Sequence, residues 1–238
     1  MRRISALFAG LVLAACGQGG SQPEKPPLNI MSGLPLFLGE AGPHALLSGT
    51  DQRAGIIRLL ERSRDPRPLD GLDTNVLGAA PTLMLVQPRL LPGEDLVALD
   101  QWVRAGGRLL VFADPLLVWP STLPLGDARR APGVTLLDPL FLHWGLSLEP
   151  AGHGHEPRPV SIAGHKVRVN GEGRWRSDGT HCALEAGGVM ASCRIGRGRA
   201  IFIADADLLD HRNWTPLGDQ TGELVLALIA RLEDGIAE

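Results

Sequence analysis

Three apolar runs set the terms for this chain. Thr82–Val86 reads TLMLV between Pro81 and Pro88, Arg108–Ala113 reads RLLVFA, and Ala200–Ala204 reads AIFIA. None of them alternates with polar residues, so each is expected to be a strand buried on both faces. The stretch between the first two is a helix with defined ends. Pro92-Gly93-Glu94-Asp95 puts acids in its first turn, where the dipole favours them. Leu96, Leu99, Trp102 and Val103 form its apolar face, and Gly106-Gly107 stops it after Arg104. Thr50-Asp51 offers an N-cap for another helix through Arg64, ended by Pro66 and Pro68. A closing helix over Thr221–Leu232 carries Leu224, Val225, Leu228, Ile229 and Leu232. Leu28–Met31 adds a short apolar run stopped by Ser32-Gly33-Leu34-Pro35. Strands alternating with helices predict an open parallel α/β sheet.

Between Leu146 and Arg199 the helical period disappears and glycines become dense. Short strand-like stretches appear at Pro159–Ile162, Lys166–Val169, His181–Leu184 and Val189–Ile195. They predict antiparallel hairpins, either as an appended β subdomain or as an antiparallel extension of the sheet edge. The domain organisation expected is therefore a single α/β domain over 28–238 with a β-hairpin insertion at about 146–199.

The first sixteen residues carry a different message. Arg2 and Arg3 form a positive n-region, and Ile4–Ala15 is an uncharged apolar stretch, shorter than the roughly 20 residues a spanning helix needs. It ends in Leu13-Ala14-Ala15-Cys16, followed by Gly17-Gln18-Gly19-Gly20. This pattern resembles the bacterial lipobox, in which the thiol is acylated with palmitate-type chains and the leader is removed before it. Residues 1–15 are then a signal peptide, Cys16 is the lipidated N-terminus, and 16–27 is a Gly- and Pro-rich flexible tether. Two or more acyl chains anchor a protein stably. The expected location is the cell envelope, facing the periplasm. Gly17, standing where many inner-membrane lipoproteins carry aspartate, points toward the outer membrane.

Composition narrows the partners. The 238 residues include 44% hydrophobic and 21% charged side chains, which excludes a disordered or fibrous chain. There are 23 basic and 26 acidic residues, and loss of Arg2 and Arg3 with the leader makes the body more acidic still. A body of that charge lacks the basic face that nucleic-acid binding requires. No tyrosine is present, so a catalytic phenol is excluded.

The segment Pro81–Pro115, PTLMLVQPRLLPGEDLVALDQWVRAGGRLLVFADP, resembles the core of the glutamine-amidotransferase-like domain of gliding-motility and ABC-transport auxiliary proteins. Asp138-Pro139-Leu140 with His143-Trp144-Gly145-Leu146, and Gly196–Leu209 with the terminal helix, are similar to later segments of the same family. The resemblance implies a three-layer flavodoxin-like sheet of class I amidotransferase type, with the β-rich excursion near 146–199. Class I amidotransferases set a nucleophilic cysteine in a tight turn after a buried strand. The corresponding turns here hold Asp114-Pro115 and Gln87-Pro88-Arg89, and no GxSxG elbow replaces them.

The remaining chemistry lies at strand ends. Open α/β sheets bind ligands in the crevice beyond the carboxyl ends of their strands. Ser32, Arg89, Asp114, Asp205 and Asp207 all follow apolar runs and are the candidate binding residues. Alternatively, Asp205 caps the short helix after it and Asp114 fixes a turn. His153-Gly154-His155-Glu156, with His165 and His181, has the residue types of a metal clip but matches no established zinc spacing, and histidines flanked by Gly and Pro are commonly just solvated. Arg194, Arg197 and Arg199 read as a solvated strand face. Trp119, Trp144, Trp175 and Trp214 fit either a sugar groove or core plugs.

Cys182 and Cys193 are candidates for a disulfide, since export places them in an oxidising compartment. A two-residue turn at Gly187-Gly188 pairs 186 with 189 and sets 182 opposite 193. That register makes them a hydrogen-bonded pair, whereas bridges suit the closer non-hydrogen-bonded sites; a bulge or longer loop would change it. The alternative is two buried thiols.

Together these features point to a non-enzymatic, lipid-anchored periplasmic binding or assembly protein. The resemblance adds an ABC-type transporter or another envelope protein as partner, and neither a cofactor nor a metal is implied. The alternative is a hydrolase or metal-dependent enzyme that uses the acidic strand ends.

Overall fold

The computed structural model describes residues 24–41, 47, 49, 52–78, 80–152, 156–213 and 218–234. The leader, Cys16, Thr50-Asp51, the histidines at 153 and 155, and Trp214 lie outside the described residues. The strands are β1 Pro27–Ser32, β2 Asp65–Pro68, β3 Thr82–Val86, β4 Arg108–Phe112, β5 Leu146–Pro150 and β6 Arg158–Ile162, followed by β7 His165–Val169, β8 Gly173–Ser177, β9 Cys182–Glu185, β10 Met190–Ile195 and β11 Gly198–Ile203. The helices are α1 Gly55–Leu60, α2 Thr74–Gly78, α3 Gly93–Arg104, α4 Asp138–His143 and α5 Gly218–Asp234.

Seven strands form one mixed sheet in the order β2-β1-β3-β4-β11-β10-β9. Five are mutually parallel, and at one edge β10 pairs antiparallel with β11 and β9 antiparallel with β10. The three apolar runs sit at the centre as β3, β4 and β11, where both faces are buried. Met84, Val86, Leu110, Phe112, Ile201 and Ile203 point to one side, against α1 and α5. Leu83, Leu85, Leu109, Val111, Ala200 and Phe202 point to the other, toward α3 and α4. There Phe202 sits 5.8 Å from Phe141, 5.5 Å from Trp175 and 5.9 Å from Trp144, so both tryptophans are core plugs. Gly198 opens β11 against the end of α3, where an added Cβ would come within 1.9 Å of the Val103 carbonyl oxygen.

The three-layer flavodoxin-like α/β fold expected from the sequence is not the fold observed. The molecule is β-rich, with a mixed sheet, two further two-stranded sheets and, among the described residues, five helices of which three are six residues or shorter. Two segments account for the difference. Residues 113–137 follow β4 where a flavodoxin-like sheet has a crossover helix, but Pro115, Pro120, Pro124 and Pro132 deny helical hydrogen bonding, and the chain runs as a long loop. Residues 146–199 supply six strands. β9 and β10 extend the sheet edge, whereas β5 with β8 and β6 with β7 form the two small sheets. The helix expected from Thr50 to Arg64 is likewise short, spanning only Gly55–Leu60.

Cys182 and Cys193 are joined by a disulfide and are opposed in the β9–β10 ladder. The connecting loop is longer than two residues, with a 3₁₀ turn at Ala186–Gly188 between Glu185 and Met190. The Arg194 N–H donates to the His181 carbonyl at 2.9 Å, so that neighbouring pair is the hydrogen-bonded one. The cysteines therefore occupy a close, non-hydrogen-bonded site, their Cα atoms 4.1 Å apart. The pairing is the expected one, and the longer loop removes the conflict with bridge geometry.

Candidate functional site

Phe112 at the end of β4 pairs with Ile203 at the end of β11. Two residues further along each strand stand Asp114 and Asp205, and Asp207 follows at the start of a 3₁₀ turn over Asp207–Leu209. Oxygen atoms of the three carboxyls lie within 4.8 Å of one another, and all three residues are at most 1% exposed.

Backbone amides converge on this cluster. Asp114 accepts from the Leu116 N–H at 2.7 Å and the Ala206 N–H at 3.2 Å. Asp205 accepts from the Asn170 N–H at 2.7 Å and the Leu208 N–H at 2.8 Å. Asp207 accepts from the Val118 N–H at 2.7 Å. The carboxyls thus tie together the chain after β4, after β7 and after β11. Burial pushes the Asp114 carboxyl up to about 7, against the pull of its amide bonds, and nearby Glu172 adds to the rise. Burial likewise drives Asp207 to about 8, with the charges of Asp114 and Asp210 contributing. Asp205 is raised well above the carboxylate range by burial and by both neighbouring aspartates. Burial thus favours the protonated form of each carboxyl in this cluster.

Gln87 completes the interior of this end. It is fully buried at the end of β3, with a left-handed φ of 40°. Its Oε1 accepts from the Asp114 N–H at 2.8 Å, and its Nε2 donates to the carbonyls of Asp114 and Pro132, both at 3.1 Å. Gly33, just after β1, lies against it, since a Cβ there would come within 2.1 Å of the Gln87 carbonyl oxygen. Glu172 is buried nearby and paired with Arg158.

Of the five candidate binding residues, the structure brings Asp114, Asp205 and Asp207 into one cluster. Ser32 instead forms a local turn, its Oγ both accepting from the Leu34 N–H and donating to the Leu34 carbonyl, each at 3.0 Å. Arg89 is exposed, and its guanidinium donates to the Ala128 carbonyl in the long loop. Gln87 is missed as a functional position by its sequence alone, although its place directly after a buried strand is the signal that marks it. Arg194 and Arg197 are exposed and Arg199 half-buried, as a strand rim would have them.

Beside the cluster, three loops together with Gln52–Ala54 line a groove of about 530 Å³. Pro35–Ala41 after β1, Trp119–Thr122 after β4 and Asp210–Arg212 after β11 contribute to its lining. Glu40 accepts from the Thr122 N–H at 2.8 Å and from its hydroxyl at 2.6 Å. Asp210 is buried and takes the Arg212 Nε at 2.8 and 3.0 Å, and the Arg212 guanidinium stands 5.8 Å from the Trp119 ring centroid. Glu40, Asp210 and Arg212 carry no motif of their own, and only the fold brings them together.

No protein-family model and no curated protein matches the chain. Solved structures do. The mmIFT52 N-terminal domain aligns over 89% of this chain and 99% of its own, with a TM-score of 0.54 at 10% identity. The exo-beta-1,4-mannosidase Op5Man5 from Opitutaceae bacterium strain TAV5 aligns over 87% of this chain, which spans 36% of the enzyme, with a TM-score of 0.51 at 12% identity. Cytoplasmic protein STM1381 from Salmonella typhimurium LT2 aligns over 86% of this chain and 98% of its own, with a TM-score of 0.51 at 8% identity. At these identities the likeness concerns fold and not activity. It joins the mixed, β-rich architecture to the IFT52 domain in place of the flavodoxin-like sheet implied by the sequence resemblance.

Proposed function

We propose that this chain is a lipid-anchored, non-enzymatic binding or assembly protein of the cell envelope, acting through the loops at the carboxyl ends of its parallel strands. The observation that carries the proposal is the orientation of its strand-end residues. The acids that an enzyme would present to substrate are turned inward and occupied by backbone amides. The loops after β3 and β4 instead present large aliphatic side chains outward: Leu90 is 75% exposed, Leu125 90%, Val134 49% and Leu116 40%. Exposed aliphatics at one end of a molecule suit a protein partner. The lipobox at Cys16 supports envelope anchoring, and the tether would enter β1 from its amino end, leaving the carboxyl-end face free. Among the described residues, no helix is long and apolar enough to cross a membrane. The resemblance of Pro81–Pro115 to transport auxiliary domains supports an ABC-type transport system as the partner.

A metal-dependent hydrolase is the second reading, favoured by the three carboxyls gathered within 4.8 Å. Substitution separates the two. Asp114→Asn and Asp205→Asn remove the charge but keep only one of the two acceptor oxygens, so in each variant one backbone N–H loses its acceptor and faces the new NH2 group. Both variants are expected to melt at a lower temperature than the wild type and, below that temperature, to retain partner capture with turnover unchanged from the wild type. Loss of a measurable hydrolytic activity in both would establish the enzyme instead. Intact-mass analysis of the exported protein is expected to begin at acylated Cys16; an unmodified Met1 in a soluble fraction would refute the anchor.

A further inference from the structure

We propose that the rim at the amino ends of the parallel strands is a membrane-docking surface, whose row of arginines lies against anionic phospholipid headgroups. This rests on the chain being anchored at Cys16, and it adds which side of the molecule faces the lipid.

Strand register sets the row. Arg108 opens β4 and pairs with Arg199 of β11, which pairs in turn with Arg194 of β10. The Arg194 N–H donates to the His181 carbonyl at 2.9 Å, so His181 continues the row beside β9. Alternate residues of a strand share a face, and these three arginines take the face of Leu110, Ile201 and Met190. Arg197 stands in the turn between β10 and β11, where its N–H donates to the Arg104 carbonyl at 3.0 Å. Arg194, Arg197 and His181 are exposed, and Arg108 and Arg199 are half-buried.

Like charges directly opposite one another destabilise a sheet. No carboxylate offsets them here. Among the described residues, Arg108, Arg194, Arg197 and Arg199 form no ion pair, and Arg199 reaches only the Leu232 carbonyl at 3.5 Å. Nearby acids are engaged elsewhere: Asp100 with Arg104, Glu61 with Arg53, Asp65 with Arg67, and Glu233 with Arg64 and the Thr82 hydroxyl. Exposed Glu24 and Asp234 do not balance four arginines. The whole chain has more acids than bases, so this excess of positive charge is local.

The entry point of the chain identifies what covers the rim. Thr82 pairs with Arg108, and Leu83 with Asn29, so β1 begins at Pro27 almost level with the arginines. Three strand spacings, about 14 Å, separate β1 from β11. Residues 16–27 span at most about 40 Å when extended, which keeps the rim within reach of lipid held at Cys16. From β4 to His181 the row is also about 14 Å long. A single small anion meets one or two of its side chains, whereas a bed of headgroups relieves the repulsion along all of it. Acyl chains together with a basic surface make a two-signal attachment. Docking of this rim turns the carboxyl-end loops away from the bilayer.

The test uses the full acylated chain in vesicles of phosphatidylcholine, with or without phosphatidylglycerol. A photo-reactive residue replaces either Thr180, exposed at the end of the row, or Leu90 on the carboxyl-end loops. Position 180 is expected to capture lipid when phosphatidylglycerol is present, and position 90 is not. Molar salt, which shortens the screening length to about 3 Å, should abolish the capture. Arg194→Gln and Arg197→Gln are each expected to reduce it about fivefold with unchanged melting. If a variant does not fold, the wild-type response to lipid and salt decides. Capture at position 180 that ignores phosphatidylglycerol, or equal capture from both positions, would overturn the docking. So would loss of capture in phosphate but not in chloride of equal ionic strength, which would mark a small-anion site. Flotation with the vesicles is scored separately. Protein that does not float refutes the anchor itself, whereas floating protein without capture at position 180 refutes the docking alone.

Discussion

Asp114 and Asp205 are register neighbours: Phe112 pairs with Ile203, each aspartate stands two residues beyond, and their carboxyls meet inside the sheet end rather than in solvent. The pairing of β4 with β11 therefore forces two acids together, and Asp207 joins them from the following turn. Burial of three neighbouring acids favours their protonated forms.

Stability should consequently depend on pH with a defined sign. The folded carboxyls are raised, Asp114 to about 7 and Asp207 to about 8, whereas the unfolded chain titrates near 4. Between these values the folded state holds more protons than the unfolded one, so the stability from retained protons is fully present below pH ~4 and is lost as pH rises through about 7 to 8. A tenfold difference in proton affinity between the two states corresponds to about 1.4 kcal/mol. Asp207→Asn retains an acceptor for the Val118 amide without the charge, and is expected to remove part of this slope and to gain stability at pH 8. Urea unfolding between pH 5 and 8 measures it; a wild-type midpoint that rises over this range would contradict the cluster's protonation.

The disulfide is expected to leave no free thiol when the unfolded, non-reduced protein is labelled. It closes a separation of 11 residues across the edge hairpin, and replacing both cysteines by serine should cost about 2–3 kcal/mol. Two labelled cysteines would show the bridge absent.

Divalent cations provide a separate check on the acidic cluster. Because each of its carboxyls already accepts backbone amides, Mg²⁺, Mn²⁺ or Ca²⁺ at millimolar concentration should leave the melting temperature unchanged. A cation that bound the native state at a hundred times its Kd would add about 2.7 kcal/mol. A rise of several degrees that disappears in Asp207→Asn would favour the metal-dependent reading.

Much of the central sheet is legible in the sequence because burial on both faces leaves a mark in single residues. TLMLV and AIFIA have no polar alternation, and prolines or glycines bound them. The opposition of Cys182 and Cys193 is legible too, since a symmetrical hairpin fixes the count of residues across it. Its hydrogen-bonding phase is not, because that depends on whether Ala186 and Val189 belong to the ladder or to the loop. The helical layers are fewer and shorter than the alternating pattern implies. Residues 113–137 carry four prolines, which route them into a loop pinned by Asp207 and Gln87. The acidic strand ends are visible as residues but not as a cluster, since nothing local shows that Asp114 and Asp205 share a register. The groove is illegible for the same reason: Glu40, Trp119 and Arg212 come from three distant loops.

The most direct measurement is photo-cross-linking in intact cells, with a cross-linker at Arg89 on the carboxyl-end loops and a control at Arg62, exposed after α1 near the opposite end. Position 89 is expected to capture a discrete envelope protein, and position 62 is not. Equal capture from both positions, or capture from position 62 alone, would contradict the claim that this molecule works through the carboxyl ends of its strands.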